Sequence, residues 1–230
     1  MADKKSIQIS GKNLAALNMA DACPRCFWIK NTVKNLPFQI FPGIFSSIDS
    51  HVKNVIHSVF DQTGTAPIWL PELADAVAYQ KVPHWQKSKR VDAETGIIVT
   101  GIPDDIFECA DGSLIIPDYK TARYTDGQDK LLPIYIGQLN AYRFMWQGMG
   151  AEVRSLPLIY CEPQTDVPMV DDKGFALGFT TKTILVEIDD ELIPRLLQRA
   201  SEILVGGIPE SAGGCEECEK LAALMERVGS

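Results

Sequence analysis

Residues 101–121 read Gly-Ile-Pro-Asp-Asp-Ile-Phe-Glu-Cys-Ala-Asp-Gly-Ser-Leu-Ile-Ile-Pro-Asp-Tyr-Lys-Thr. Asp104-Asp105 and Asp118 stand on either side of Asp111-Gly112, a strong hairpin-turn dipeptide. A two-residue turn there pairs residues whose numbers sum to 223, so Asp105 falls opposite Asp118 and Asp104 opposite Tyr119. A bulge near Pro103 or Pro117 shifts this pairing by one. Strand side chains alternate, so Asp118 and Lys120 share a face. Two acids and a lysine thus converge at the end of a hairpin. Carboxylates are hard oxygen donors that suit Mg²⁺ or Mn²⁺. Such an ion polarises a phosphate and lowers the pKa of a bound water. A lysine beside it orients the water, acts on its proton or offsets charge on pentacovalent phosphorus. Such a cluster suits phosphodiester hydrolysis. An isolated Asp-x-Lys is usually a surface ion pair; the upstream acids and the apolar Leu114-Ile115-Ile116 lead-in set this one apart.

Four of the six cysteines form two Cys-x-x-Cys pairs, Cys23/Cys26 and Cys215/Cys218, near opposite ends of the 230-residue chain. In a cytosolic protein that spacing reads as metal before disulfide. One site made from both pairs requires the fold to bring the two ends together, and spacing alone favours tetrahedral Zn²⁺. Cys109 and Cys161 lie in apolar runs and read as core.

The elements that must position these groups follow from periodicity. Residues 6–34 read as helical around the Cys23-Pro24 break, with Ser10 or Asn13 as a cap. Ile48, Val52, Val55, Ile56 and Val59 place a helix over 46–60, which Asp61-Gln62-Thr63-Gly64 ends, and 65–75 reads as loop. Strands are expected at Val77–Val82, Arg90–Ala93, Ile97–Gly101, Asp105–Cys109 and Ser113–Asp118. Pro133 opens a helix running to about Gln147, ended by Gly148-Met149-Gly150. Leu156–Cys161 and Thr181–Ile188 read as strands, and Asp189 or Asp190 caps a helix that Gly206-Gly207 stops. The order predicts an α/β (α+β) fold, a central mixed sheet flanked by helices.

Gly101-x-x-Asp104 followed by Pro117-Asp118-Tyr119-Lys120-Thr121 resembles the PD-(D/E)XK nuclease superfamily, in its RecB-like and CRISPR-associated exonuclease branch. That branch also carries Gln-x-x-x-Tyr on the next helix, and here Gln138-Leu-Asn-Ala-Tyr142 matches, its ends one turn apart on one helix face. The resemblance implies a single restriction-endonuclease-like domain over 1–230, with a core at about 46–205 and cysteine segments at about 20–30 and 213–220. It implies that Asp104, Asp118 and the Tyr119 carbonyl hold Mg²⁺ or Mn²⁺, that Lys120 is catalytic, and that Gln138 and Tyr142 contact DNA or support the site. Family spacing from Gly101 favours Asp104 as the ligand, whereas the ideal hairpin register favours Asp105. The branch often places a metal-binding His in an early helix. Here Asp49 sits near that place and His51 two residues later, and either is a candidate further ligand. Several members join their ends with a 4Fe–4S cluster, so the resemblance favours iron–sulfur over zinc. Those members usually have one upstream and three downstream cysteines; this chain has two and two.

Composition is that of a globular protein, 46% apolar and 23% charged, and no apolar run is long enough to span a membrane. No signal-peptide pattern opens the chain, so a cytoplasmic location is expected. The net charge of −8 is concentrated after Glu187, where ten acids and four bases give −6 and leave −2 for the rest. An acidic total therefore does not preclude a basic groove elsewhere. Lys87, Lys89 and Arg90, with Lys81, His84 and Trp85, form a basic aromatic stretch before the site; Lys120, Arg123 and Lys130 follow it. Such residues neutralise phosphates, and Trp85 could stack on a splayed base. Arg123–Gly127 reads as a mobile loop beside the site. The expected activity is metal-dependent cleavage of single-stranded DNA or duplex ends by in-line attack of water, leaving a 5′-phosphate. The expected setting is repair, recombination, replication or CRISPR-type processing, with proteins of those pathways as partners. The alternatives are a catalytically silent DNA-binding module with a nuclease-like fold, and a zinc-stapled structural protein.

Overall fold

Apolar side chains alternate through residues 114–119 and divide between two cores, and this alternation sets the centre of the fold. The computed structural model describes residues 7–36, 42–125, 130–171 and 174–229. Strand β1 (Gln8–Ser10) leads into α1 (Gly11–Ala15), then α2 (Pro24–Thr32) and α3 (Gly43–Thr63). Six short strands follow: β2 (Ala76–Tyr79), β3 (Lys89–Val91), β4 (Ile98–Thr100), β5 (Phe107–Cys109), β6 (Leu114–Ile115) and β7 (Asp118–Lys120). After α4 (Leu132–Gly148) come β8 (Val153–Ser155), β9 (Pro157–Asp171), β10 (Gly174–Leu185), α5 (Leu192–Val205) and α6 (Glu216–Val228). The protein is mixed α+β.

One sheet has the order β1-β4-β3, a second β2-β5-β6-β8 and a third β10-β9-β7. The last two adjoin. β6 runs parallel to β8 and β7 parallel to β9, and between these pairs the Ile116 amide donates to the Ser155 carbonyl at 3.1 Å. Pro117 has no amide hydrogen, which interrupts the ladder there. Leu114 and Ile116 enter a core with α4 and α5 residues such as Leu139, Met145, Leu196 and Leu197. Ile115 and Tyr119 enter the opposite core with Ile56 and Phe60 of α3. Asp118 and Lys120 continue the first parity, toward α4.

Small residues let α1 press against α4. A Cβ on Gly11 would stand 2.9 Å from the Ala141 Cβ, and one on Gly137 would stand 2.7 Å from the Ala15 Cβ. Together these four residues leave no room for larger side chains.

Several expectations shift. Residues 8–10 form a strand rather than helix because they pair with Ile98–Thr100 of β4; Ser10 then caps α1 by accepting the Asn13 amide at 3.1 Å. The helix expected over 46–60 begins at Gly43, so Asp49 lies in its second turn, and Gly64 ends it at φ 72°. Residues 71–73 add a 3₁₀ turn to the expected loop. The strand expected over 113–118 is two, broken before Asp118. The strands at Leu156–Cys161 and Thr181–Ile188 belong to a longer hairpin, and α6 is additional. Glu191, not Asp189 or Asp190, is the N-cap of α5, and the Asp189 carboxylate accepts the Glu191 and Leu192 amides in the turn that leads into it. In the Arg123–Gly127 loop, Asp126 and Gly127 lie outside the described residues.

The hairpin register also differs from the two-residue turn. The Cys109 amide donates to the Ser113 carbonyl, and Gly112 takes φ 82°, closing a three-residue loop over 110–112. Glu108 pairs with Leu114 and Phe107 with Ile115, so partner numbers sum to 222. Continued, that register sets Asp104, not Asp105, opposite Asp118.

Candidate functional site

β7 delivers Asp118 and Lys120 to one side of the sheet and α4 delivers Gln138 and Tyr142 to the same place. Gln138 Nε2 donates to Asp118 Oδ1 at 3.1 Å and to the Tyr142 hydroxyl at 2.7 Å. Tyr142 passes the chain on, donating to the Ile102 carbonyl at 3.1 Å. Gly101 makes room for it: a Cβ there would stand 2.9 Å from the Tyr142 ring. That close approach accounts for glycine three residues before Asp104. The Lys120 ammonium pairs with Asp118 Oδ2 and lies 4.6 Å from the centre of the Tyr135 ring. Gln138 Oε1 is buried without a partner among the described residues.

Asp104 reaches the same place from the other strand. Its Oδ2 accepts the Tyr119 amide at 2.9 Å, and its Oδ1 pairs with Lys53 of α3 at 3.2 Å. The five residues expected to do chemistry, Asp104, Asp118, Lys120, Gln138 and Tyr142, are therefore linked in one network, with the Tyr119 backbone between the two acids. Asp105 is turned away into the opposite core. It is 1% exposed, pairs with His57 Nε2 at 2.7 Å, and takes the Tyr119 hydroxyl at 3.4 Å. Asp104, not Asp105, is therefore the acid beside Asp118. His57 was not singled out in the sequence, since a histidine eight residues beyond Asp49 carries no spacing signal.

Asp49 joins the group. Its Oδ1 is 3.5 Å from the Thr121 hydroxyl. Burial, and then the nearby Asp104 charge, raise its pKa. His51 is exposed and instead lines a groove of about 580 Å³ with Val52, Trp69, Cys161 and Phe179. Asp118 is pushed up to about 6, chiefly by burial and further by Asp104, against the opposing pull of Lys120. Lys120 moves the other way from a typical buried amine. Burial disfavours its charge, but Asp118 beside it overcomes this and raises its pKa.

The cysteine pairs do meet. Cys23 Sγ lies 3.7 Å from Cys218 Sγ, and Cys26 Sγ lies 3.5 Å from both Cys215 and Cys218. All four sulfurs fall within 4.8 Å of one another, with no disulfide among them. Cys23 precedes α2 and Cys215 precedes α6, so two helix starts form the cluster. Burial opposes ionisation of Cys23, yet the Ala212 and Cys26 amides and the neighbouring thiols bring it down to about 6. Cys26 is shifted up by burial and by the other thiols. The donor set could hold a metal. Cys109 and Cys161 are buried, as expected of core residues.

The basic stretch divides. Lys87 and Lys89 are exposed. Arg90 is packed instead: its guanidinium sits 4.0 Å over the Phe144 ring and donates to the Phe144 carbonyl at 2.8 Å, and Gly148 leaves room for its stem. Its position accounts for it as a link between β3 and α4, unlike the free phosphate contact expected from sequence. Arg123 donates to the Thr165 hydroxyl of β9 at 2.9 Å and remains exposed. No helix among the described residues is long and apolar enough to cross a membrane.

No protein-family model matches the chain, and no curated protein matches it. Among solved structures it is similar to the crystal structure of SSO0001, at 15% identity and a TM-score of 0.42, over 90% of this chain and 80% of that one. A likeness that slight transfers neither fold nor activity.

Proposed function

We propose that the protein is a metal-dependent deoxyribonuclease of the PD-(D/E)XK type, acting on single-stranded DNA or duplex ends. The observation that carries this reading is Asp118 bound at once to Lys120 and Gln138, with Asp104 anchored on the adjacent Tyr119 amide. The order β2-β5-β6/β7-β8/β9-β10, with α4 on one face and α3 on the other, supports a restriction-endonuclease-like core.

The donor set fits a hard divalent ion. Asp49, Asp104 and Asp118 crowd together, offset by Lys53 and Lys120 and, less strongly, by Lys12. Mutual repulsion of that kind is relieved by a cation bound through oxygen. Asp104, Asp118 and the Tyr119 carbonyl would hold Mg²⁺ or Mn²⁺, with Asp49 as a third acid. When bound, the ion supplies Lewis acidity toward a phosphate and acidifies its water. Lys120 remains an ammonium because Asp118 raises its pKa, so its role is to set positive charge beside the scissile phosphate rather than to take a proton. Gln138 and Tyr142 orient Asp118, and the spare Gln138 Oε1 is an acceptor for a group arriving at the site. Lys87, Lys89 and Arg123 supply charge for the DNA backbone.

The four cysteines are read as a metal staple between the two ends of the chain. A single tetrahedral ion with metal–sulfur bonds of about 2.3 Å sets its ligands about 3.8 Å apart. Three of the six sulfur pairs lie at 3.5–3.7 Å, close to that edge, and all six lie within 4.8 Å. A 4Fe–4S cluster binds each thiolate to a separate iron and holds the sulfurs further apart. The spacing therefore favours Zn²⁺ over the iron–sulfur cluster.

The test is cleavage of end-labelled single- and double-stranded DNA with Mg²⁺, Mn²⁺ or EDTA, with Lys120→Ala in parallel. Metal-dependent cleavage lost in the variant supports the enzyme. DNA binding without cleavage by folded wild-type protein would leave the silent binding module instead.

A further inference from the structure

Behind the acids lies a second network that no step of the proposed reaction uses. Asp104 and Asp105, adjacent in sequence, hold the same residue at its two ends. Asp104 takes the Tyr119 amide and Asp105 takes the Tyr119 hydroxyl. Asp105 is itself fixed. Its Oδ1 accepts the Ile106 amide at 3.1 Å and its Oδ2 meets His57 Nε2 at 2.7 Å. His57 is held in turn, stacked on Tyr79 with ring centres 4.0 Å apart and planes 8° apart, and edge-on to Phe107. The Tyr79 hydroxyl closes the far end by donating to Asp61 at 2.9 Å. Its members are drawn from α3, β2, β5 with the segment before it, and β7.

We propose that His57, Asp105 and Tyr119 are positioning residues forming a clamp that fixes the Asp104 carboxylate and the Tyr119 carbonyl as a pair of metal ligands. This rests on the divalent-ion site proposed above. The physical reason is geometric. An ion accepts its ligands only within a few tenths of an ångström, and groups hydrogen-bonded behind the ligands set their position. Asp104 is joined to the rest of the hairpin through Pro103 on one side and Asp105 on the other. Anchoring Asp105 in the α3 core stops rotation of the 104–105 segment. Holding the Tyr119 phenol stops β7 from sliding past it. The clamp also explains why the chain carries two successive aspartates where one ligand suffices.

The test is Mn²⁺ titration followed by electron paramagnetic resonance, which reads free and bound ion without substrate. The proteins are wild type, Asp104→Ala, Tyr119→Phe, His57→Ala and His57→Gln, each checked by thermal melting. Tyr119→Phe keeps the ring, amide and carbonyl and removes only the hydroxyl, so it answers the question even where His57→Ala fails to fold. The expected result is Mn²⁺ affinity about 10–100-fold weaker in Tyr119→Phe and His57→Ala. His57→Gln, which keeps a donor for Asp105, should recover most of the loss. Unchanged Mn²⁺ affinity in folded Tyr119→Phe, while Asp104→Ala abolishes binding, overturns the clamp and leaves the metal site standing. Equal binding by wild type and Asp104→Ala overturns the site reading and the clamp with it.

Discussion

Gln138 Nε2 lies 3.1 Å from Asp118 Oδ1, joining the middle of α4 to the first residue of β7 in a place where Asp118 is 1% exposed. The bond satisfies one oxygen of a buried carboxylate; Lys120 satisfies the other. Everything proposed about the chemistry depends on that carboxylate being held but still reactive.

Loss of either charged group should therefore stop cleavage without unfolding the protein. Asp118→Asn and Lys120→Met keep size and remove charge. Each is expected to lower the rate of Mg²⁺- or Mn²⁺-dependent DNA cleavage by about 10²–10⁴-fold, the range of a lost acid–base or electrostatic group. Gel assays of labelled DNA under single-turnover conditions measure this. Full activity in either variant would falsify the assignment.

The raised Asp118 pKa has a stability consequence. Its folded value of about 6 lies above the unfolded carboxylate value of about 4. Below pH 4 both states are protonated and the group has no effect. Between 4 and 6 the unfolded chain releases its proton while the folded one keeps it, so stability falls as pH rises. Above 6 the loss is constant. In EDTA, wild type should lose stability across this window relative to Asp118→Asn, and Mn²⁺ at pH 7 should restore it. Melting curves from pH 4 to 7.5, with and without Mn²⁺, check both.

The cysteine staple predicts one tightly bound zinc per chain and no visible absorption band from iron–sulfur. Cys26→Ser touches the sulfur that approaches both Cys215 and Cys218. It should release the metal and lower stability by several kcal/mol, since metal binding and folding are coupled. Elemental analysis of anaerobically purified protein, with melting of wild type and variant, gives the answer. Four irons per chain would reverse the zinc assignment.

At the α1–α4 crossing, Gly137→Ala sets two effects against each other. Replacing a mid-helix glycine gains about 1 kcal/mol of helix propensity. The new methyl group would stand 2.7 Å from the Ala15 Cβ. Overpacking of that kind costs about 1–3 kcal/mol. Net destabilisation is expected in urea unfolding, and net stabilisation would show that the helices separate freely.

Lys89 and Arg90, neighbours in sequence, should respond differently to substitution. Lys89→Ala should leave the melting temperature unchanged, weaken DNA binding and reduce the salt slope of log K by about 1. Arg90→Ala should mainly destabilise, because its guanidinium lies over Phe144 and bonds its carbonyl. Fluorescence anisotropy at several salt concentrations, beside melting, distinguishes them.

Local pattern in the sequence determined a good deal. Alternation through 114–120 put Asp118 and Lys120 on one face, a four-residue spacing put Gln138 and Tyr142 on one turn of helix, and two Cys-x-x-Cys pairs marked a four-sulfur cluster. Each is a property of a strand, a helix or a short loop and needs no knowledge of distant residues. Tertiary structure decided the rest. The hairpin slipped by one residue because Gly112 adopts a left-handed φ in a three-residue loop, and a one-residue slip exchanges the faces of neighbouring side chains. That choice sent Asp104 to Asp118 and Asp105 to His57. Residues 8–10 became a strand only because β4 offered a partner, and Arg90 left the basic surface only because α4 passes beneath it. Pairing and packing between segments far apart in sequence are fixed by the closure of the whole fold, and no periodicity within a single segment records them.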